Sequence, residues 1–147
     1  MKNIARSASV TSKPVFVLDS FALLAYLNGE PGQERIVDLL TQAQAGKCRL
    51  LLCTINLGEI LYTVERRRGL SKAQQTQALI ESLPIEEVPA DRSLVLDAAH
   101  IKASHPISYA DAFATALAAR ESATVLTGDP EFENVKELVT VEWLTAH

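Results

Sequence analysis

The chain has 147 residues, a length typical of one globular domain, and 48% of them are hydrophobic, which excludes a disordered protein. Its net charge of −4 counts against a protein whose whole surface binds nucleic acid, although it leaves room for a local basic patch. The opening residues MKNIARSASVTSK carry three cationic side chains but no apolar run, so we expect no signal peptide. We expect residues 1–13 to form a flexible tail and residues 14–147 to form the domain.

Short apolar segments alternate with helical patterns along the chain. Strands are predicted at residues 15–18, 49–53, within PIEEVP, at 123–126 and within LVTVEWL. Helices are predicted at residues 20–27, 34–44, 54–68, from Ser71 onward, 91–103 and 109–121, with Thr54 as the cap of the third and Gly69 as its end. This alternation predicts an α/β fold in three layers, a short parallel sheet of four to five strands covered by helices on both faces.

Four acidic residues are candidates for the functional site of such a fold. Asp19 and Asp129 each come after a strand, and Glu59 lies in the second turn of the helix that follows the second strand. Topology alone therefore places these three at the carboxyl edge of the sheet, where open α/β folds bind ligands. Asp111 starts a helix that precedes a strand, so its arrival at the same edge depends on the loop SHPIS and does not follow from spacing.

Each acid also has a purely structural interpretation. Asp19 could simply cap the helix that follows it, and Asp129 stands before a proline, which is ordinary turn chemistry. Ser108 and Asp111 have the spacing of a capping box, and Glu59 could be a surface glutamate beside the core. These interpretations stay open for each residue taken singly.

Taken together, the four acids predict a chemistry that no single one of them predicts. Three or four crowded carboxylates repel one another, and some stay protonated at neutral pH unless cations intervene. Oxygen ligands favour hard ions such as Mg²⁺ or Mn²⁺, which attract phosphates and can activate a water for in-line attack. Because the sequence has neither a P-loop nor a GxGxxG motif, it favours metal-assisted hydrolysis of a phosphodiester.

Four segments in order resemble the signature segments of PIN-domain ribonucleases of the bacterial VapC-type toxin family: VLDSFALLAYL, TINLGEILY, SYADAFATALA and VLTGDPEF. The resemblance extends over nearly the whole chain from Val15 onward, and the ordered set is specific although each segment alone is weak. It implies that the catalytic and metal-binding acids are Asp19, Glu59, Asp111 and, more variable in the family, Asp129. It also implies supporting roles near the site for Ser20 and Thr127.

The same resemblance carries expectations about fold and partners. It implies that the first strand is central, that RNA is the substrate, and that the cofactor is Mg²⁺ or Mn²⁺. It further implies a homodimer and a small antitoxin, which would place a basic side chain in the acidic pocket in place of the metal. A chain length close to one bare domain favours a toxin over a PIN-fold nuclease of RNA processing, which remains an alternative.

The only basic run, VERRRG at residues 64–69, ends the helix that carries Glu59. Arg66 lies two turns beyond Glu59, about 10 Å along the axis, so it could bind a substrate phosphate. Its alternative role, and the preferred one for Arg67 and Arg68, is that of a solvated cation complementing the helix dipole.

Other classes of protein fit less well. A haloacid-dehalogenase-type phosphatase would need a second Asp two residues after Asp19, where Phe21 stands, and a response-regulator receiver would need an acidic pair at the first strand. A catalytically silent RNA-binding or scaffold domain of the same fold remains open, although the presence of all four acids counts against it. No stretch is apolar enough to span a membrane, and Cys48 and Cys53 read as core residues of a cytoplasmic protein.

Overall fold

The computed structural model describes residues 12–145, so residues 1–11 of the predicted tail lie outside the described residues. Five strands form one sheet in the order β3-β2-β1-β4-β5, and every neighbouring pair is parallel. The strands are β1 (Val15–Leu18), β2 (Arg49–Cys53), β3 (Glu86–Val88), β4 (Thr124–Thr127) and β5 (Thr140–Trp143). The predicted parallel sheet is confirmed, and the first strand lies at its centre.

Helices connect each strand to the next. They are α1 (Ser20–Asn28), α2 (Gln33–Gln44), α3 (Thr54–Arg68), α4 (Leu70–Ser82), α5 (Arg92–Ser104) and α6 (Tyr109–Glu121), and a 3₁₀ helix (Pro130–Val135) joins β4 to β5. Helices α1 and α3 begin immediately after β1 and β2, so both start at the carboxyl edge of the sheet. None of the helices within residues 12–145 has the length and apolar character that a membrane span requires.

The sheet separates two hydrophobic clusters, as successive side chains of a strand point to opposite faces. Val17 of β1 and its strand partners Leu51 and Val125 pack with α5 and α6, whereas Leu18 and Leu50 pack with the helices α1 to α4. This arrangement confirms the three predicted layers. Both cysteines are buried and unbridged, Cys48 in the second cluster and Cys53 in the first.

Four helix starts differ slightly from the sequence-based prediction: α2 begins at Gln33 rather than residue 34, α5 begins at Arg92 rather than residue 91, and α3 and α4 differ in their first turns. Thr54 is not the cap of α3, because Cys53 holds that position in an extended conformation and Thr54 is already helical. The Thr54 hydroxyl instead donates to Glu87 in the neighbouring strand β3, at 2.7 Å. Helix α4 begins at Leu70 rather than Ser71, because Gly69, with a φ of +91°, both ends α3 as predicted and turns the chain directly into α4.

Candidate active site

A pocket of about 390 Å³ opens at the carboxyl edge of the sheet. Its walls come from the end of β1, the first half of α1, the first three turns of α3, the start of α6 and the segment after β4. All four acids predicted from the sequence line it, including Asp111, whose position spacing could not determine. The lining residues are Asp19, Ser20, Phe21, Leu24, Glu59, Thr63, Ser108, Asp111, Asp129 and Glu131.

Asp19 is only 1% exposed at the end of the central strand, and its two oxygens have separate partners. One accepts a hydrogen bond from the Ala22 backbone N–H at 2.8 Å, so Asp19 does cap α1. The other accepts from the Thr127 hydroxyl at 2.5 Å. Burial raises the pKa of Asp19 to about 7 despite these bonds, and the charges of Asp129 and Glu59 add to the shift.

Two hydroxyl side chains hold acids of the pocket in place. Thr127 donates to Asp19 and accepts from the backbone N–H of Asp129 at 2.9 Å, which links the ends of β1 and β4. Ser20 donates to Glu59 at 2.5 Å, which links α1 to α3. These contacts place both residues where a supporting role would require them.

The capping box predicted at the start of α6 is only half formed. The Ser108 hydroxyl accepts from the backbone N–H of Asp111 at 3.1 Å, but the Ser108 backbone N–H donates to Glu131, also at 3.1 Å. Glu131 thus makes the reciprocal bond that a capping box would assign to Asp111. The Asp111 carboxylate is therefore not used as a cap.

Asp111, Asp129 and Glu131 form the tightest group of acids in the pocket. One carboxylate oxygen of each lies within 4.8 Å of the corresponding oxygens of the other two. Burial, the hydrogen bond with Glu131 and the nearby charges of Asp19 and Asp129 together raise the pKa of Asp111 to about 9. A crowded set of carboxylate oxygens fits a hard divalent cation such as Mg²⁺ or Mn²⁺.

Sequence reasoning did not identify Glu131 or Asn56. Glu131 follows Asp129 at a spacing of two, a signal concealed by the Asp-Pro turn. Asn56 is a polar residue in the apolar stripe of α3 and is fully buried. Its side-chain N–H donates to the backbone oxygen of Ala110 at 3.2 Å, which fixes α3 against the start of α6 beside Asp111.

An aromatic ring forms part of the rim. Phe21 is 38% exposed and lines the pocket, and its ring lies directly on Gly128, where a Cβ would overlap it. The absence of a side chain at Gly128 therefore sets how close the ring lies to the end of β4.

The basic run does not lie at the acids themselves. The Arg66 guanidinium lies 5.0 Å from the centre of the Tyr62 ring, and Arg66 is not part of the pocket lining. Arg67 and Arg68 line a cavity that adjoins the pocket. A substrate contact for Arg66 stays a prediction.

The PIN domain family model matches residues 16–138, and the chain therefore belongs to the PIN-domain family. A search among curated proteins finds no match of significance. The fold is also that of chains in solved bacterial toxin–antitoxin complexes and toxins.

Three solved structures illustrate that likeness. A chain of the DNA-bound VapBC complex from Salmonella typhimurium is 18% identical with a TM-score of 0.71, over 90% of this chain and 99% of that one. A chain of the VapBC2 complex from Rickettsia felis is 16% identical with a TM-score of 0.70, over 87% and 97%. VapC20 from Mycobacterium tuberculosis, described as a sarcin–ricin loop cleaving toxin, is 19% identical with a TM-score of 0.64, over 80% and 92%.

Proposed function

We propose that the chain is a Mg²⁺- or Mn²⁺-dependent endoribonuclease, the toxin of a toxin–antitoxin pair. The observation that carries this proposal is the convergence of Asp19, Glu59, Asp111 and Asp129, with Glu131, on one pocket of a PIN domain. The family and the likeness to VapBC chains and to VapC20 support nuclease activity and RNA as the substrate class.

The residues of the pocket fit hydrolysis assisted by a metal. Asp111, Asp129 and Glu131 would hold the ion, with Asp19 and Glu59 oriented toward the same space by Thr127 and Ser20. Such an ion supplies positive charge for the phosphate and lowers the pKa of a bound water. The pocket lining within residues 12–145 contains hydroxyls but no histidine or lysine that would activate one of them as a nucleophile, and this supports attack by a water.

The raised pKa values of Asp19 and Asp111 give these carboxyls a further role. Without a cation, Asp111 holds its proton near neutral pH and Asp19 is about half protonated, and ion binding by these carboxylates releases those protons. Metal loading therefore converts a partly neutral pocket into an ionised one. A basic side chain of an antitoxin would satisfy the same carboxylates, so partner and metal would compete for the pocket.

Cleavage assays on the purified chain test the proposed function. With Mg²⁺ or Mn²⁺ the chain should cut RNA internally, and a chelator should abolish cleavage until Mn²⁺ is restored. DNA of the same sequence serves as the control substrate, and sequencing of the RNA ends identifies the cut. RNA that stays intact at saturating Mn²⁺ would contradict the proposal and favour a silent RNA-binding or scaffold domain.

The proposed assembly has its own test. As a VapC-like toxin the chain should form a homodimer in the cytoplasm and should bind a small antitoxin. Light scattering at micromolar concentration should give a mass twice that of the 16.0 kDa chain. A strictly monomeric protein would count against the dimer, and absence of growth arrest on expression would favour an RNA-processing nuclease.

A further inference from the structure

Two further cavities continue from the acidic pocket along the seam between α1 and α3. The first, about 410 Å³, shares Leu24 and Thr63 with the acidic pocket and reaches Arg67 and Arg68. The second, about 260 Å³, shares Arg68 with the first and reaches Lys72 on α4. We call these two adjoining cavities the basic groove. The remaining lining residues are Leu27, Asn28, Val64, Gln75, Thr76 and Leu79.

The groove has regular walls because both helices present residues at a spacing of four. Such residues share one face of a helix. The α1 wall runs through Ser20, Leu24 and Asn28, and the α3 wall through Glu59, Thr63 and Arg67. Arg67 therefore lies about 12 Å along the α3 axis from Glu59, on the same face. The groove starts at the acids and ends at the cations.

The cations of the groove have no partners of their own among residues 12–145. The side chains of Arg67, Arg68 and Lys72 are exposed and form no ion pair or hydrogen bond within that range. Other cations of the same range do form ion pairs, namely Arg35, Arg49, Arg120 and Lys136. Complementing the dipole of α3 would account for Arg67 and Arg68, but it does not account for Lys72, which belongs to α4. A chain with a net charge of −4 thus gathers unpaired positive charge at one end of a groove.

We propose that the basic groove binds the phosphate backbone of the RNA strand beside the scissile bond, through Arg67, Arg68 and Lys72. This inference rests on the proposed nuclease function. The acidic pocket repels phosphates other than the one that its metal attracts, so flanking phosphates need a separate basic surface. Contacts to phosphate give affinity without reading sequence. They persist unchanged in the transition state, so their loss raises KM and leaves kcat nearly unchanged.

A matched pair of double variants tests the groove. Arg67→Gln/Arg68→Gln removes two charges from it, and Lys47→Gln/Arg92→Gln removes two exposed, unpaired charges outside it. With Mn²⁺ and a fixed RNA, the groove variant should raise KM roughly tenfold with kcat little changed. The slope of log binding constant against log salt should become shallower by about 1.4, because each phosphate contact on a single strand contributes about 0.7. The control variant should match the parent in both.

The outcomes separate this inference from the proposed function. Arg67→Lys/Arg68→Lys keeps the charges and should keep the salt slope of the parent, which shows that charge rather than folding is measured. A parent chain that leaves RNA uncut would defeat the proposed function. If the parent cuts RNA but the groove and control variants have equal KM values and equal salt slopes, the groove inference alone would be overturned. The groove would then be a binding site for a protein partner.

Discussion

Asp19→Asn, Glu59→Gln and Asp111→Asn are each expected to lower RNA cleavage by several orders of magnitude. Each substitution removes a negative charge from a pocket whose proposed task is to hold a divalent cation, and each keeps the size of the side chain. Asp129→Asn should cost less, because Asp129 is only half-buried and the carboxylate of Glu131 lies beside it. Initial rates at saturating Mn²⁺ give kcat/KM for each variant.

Glu131 offers a matched control within one short helix. Glu131→Gln should lower cleavage, although its side chain can still accept the bond from the Ser108 backbone. Glu133→Gln, in the same 3₁₀ helix, removes a surface partner of Lys136 and should leave cleavage unchanged. Near-normal cleavage by Asp111→Asn would end its assignment to the site, whatever the other variants do.

The metal-free protein should lose stability as the pH rises from about 4 to about 9. In the folded chain the pKa of Asp19 is raised to about 7 and that of Asp111 to about 9, from an ordinary value of 3.8. Above about pH 4 the unfolded chain releases protons that the folded chain retains. The resulting stability is fully present below pH 4 and is lost as the pH passes through 7 and then 9. Each retained proton contributes a slope of at most about 1.4 kcal/mol per pH unit to the free energy of unfolding.

Added Mn²⁺ should reverse this trend, because the ion binds the ionised carboxylates. At a hundred times its dissociation constant, a bound ion stabilises the fold by about 2.7 kcal/mol, and the melting temperature should rise by several degrees. The rise should be larger at pH 8 than at pH 6. Melting curves at both values, with Mn²⁺ and with a chelator, measure it.

Asp111→Asn is the informative variant for these curves. It resembles the protonated acid, so the metal-free variant should melt at the same temperature as the parent or higher, with a weaker dependence on pH. Its metal-induced rise should shrink. A lower metal-free melting temperature with an undiminished metal-induced rise would mean that Asp111 stabilises helix α6 and is not part of the active site.

The sequence predicted those parts of the site that local topology determines. Asp19, Glu59 and Asp129 follow strands directly or through the first turns of a helix, so the parallel order of the strands places them at one edge. Asp111 was assigned through the family resemblance alone, since the loop before α6 determines its position. The central place of β1 also came from that resemblance.

The missed features depend on contacts between distant parts of the chain. Glu131 reaches the backbone of Ser108, 23 residues earlier, and Asn56 reaches Ala110, 54 residues later. Which face of α3 borders the groove depends on α1, because α1 packs beside the row of α3 residues that contains Thr63 and Arg67. The pattern of α3 alone could not show that this row, and not Arg66, borders the cavities.

The two hydrogen bonds that Asp19 accepts indicate which substitution could remove the activity of such a chain during evolution. Asparagine at position 19 would keep an oxygen for the Ala22 N–H, and asparagine caps helices as well as aspartate does. Alanine or valine there would give up the cap as well as the charge. The least disruptive path from an enzyme to a domain that only binds its partners therefore passes through Asp19→Asn, which silences the pocket while the start of α1 stays in place.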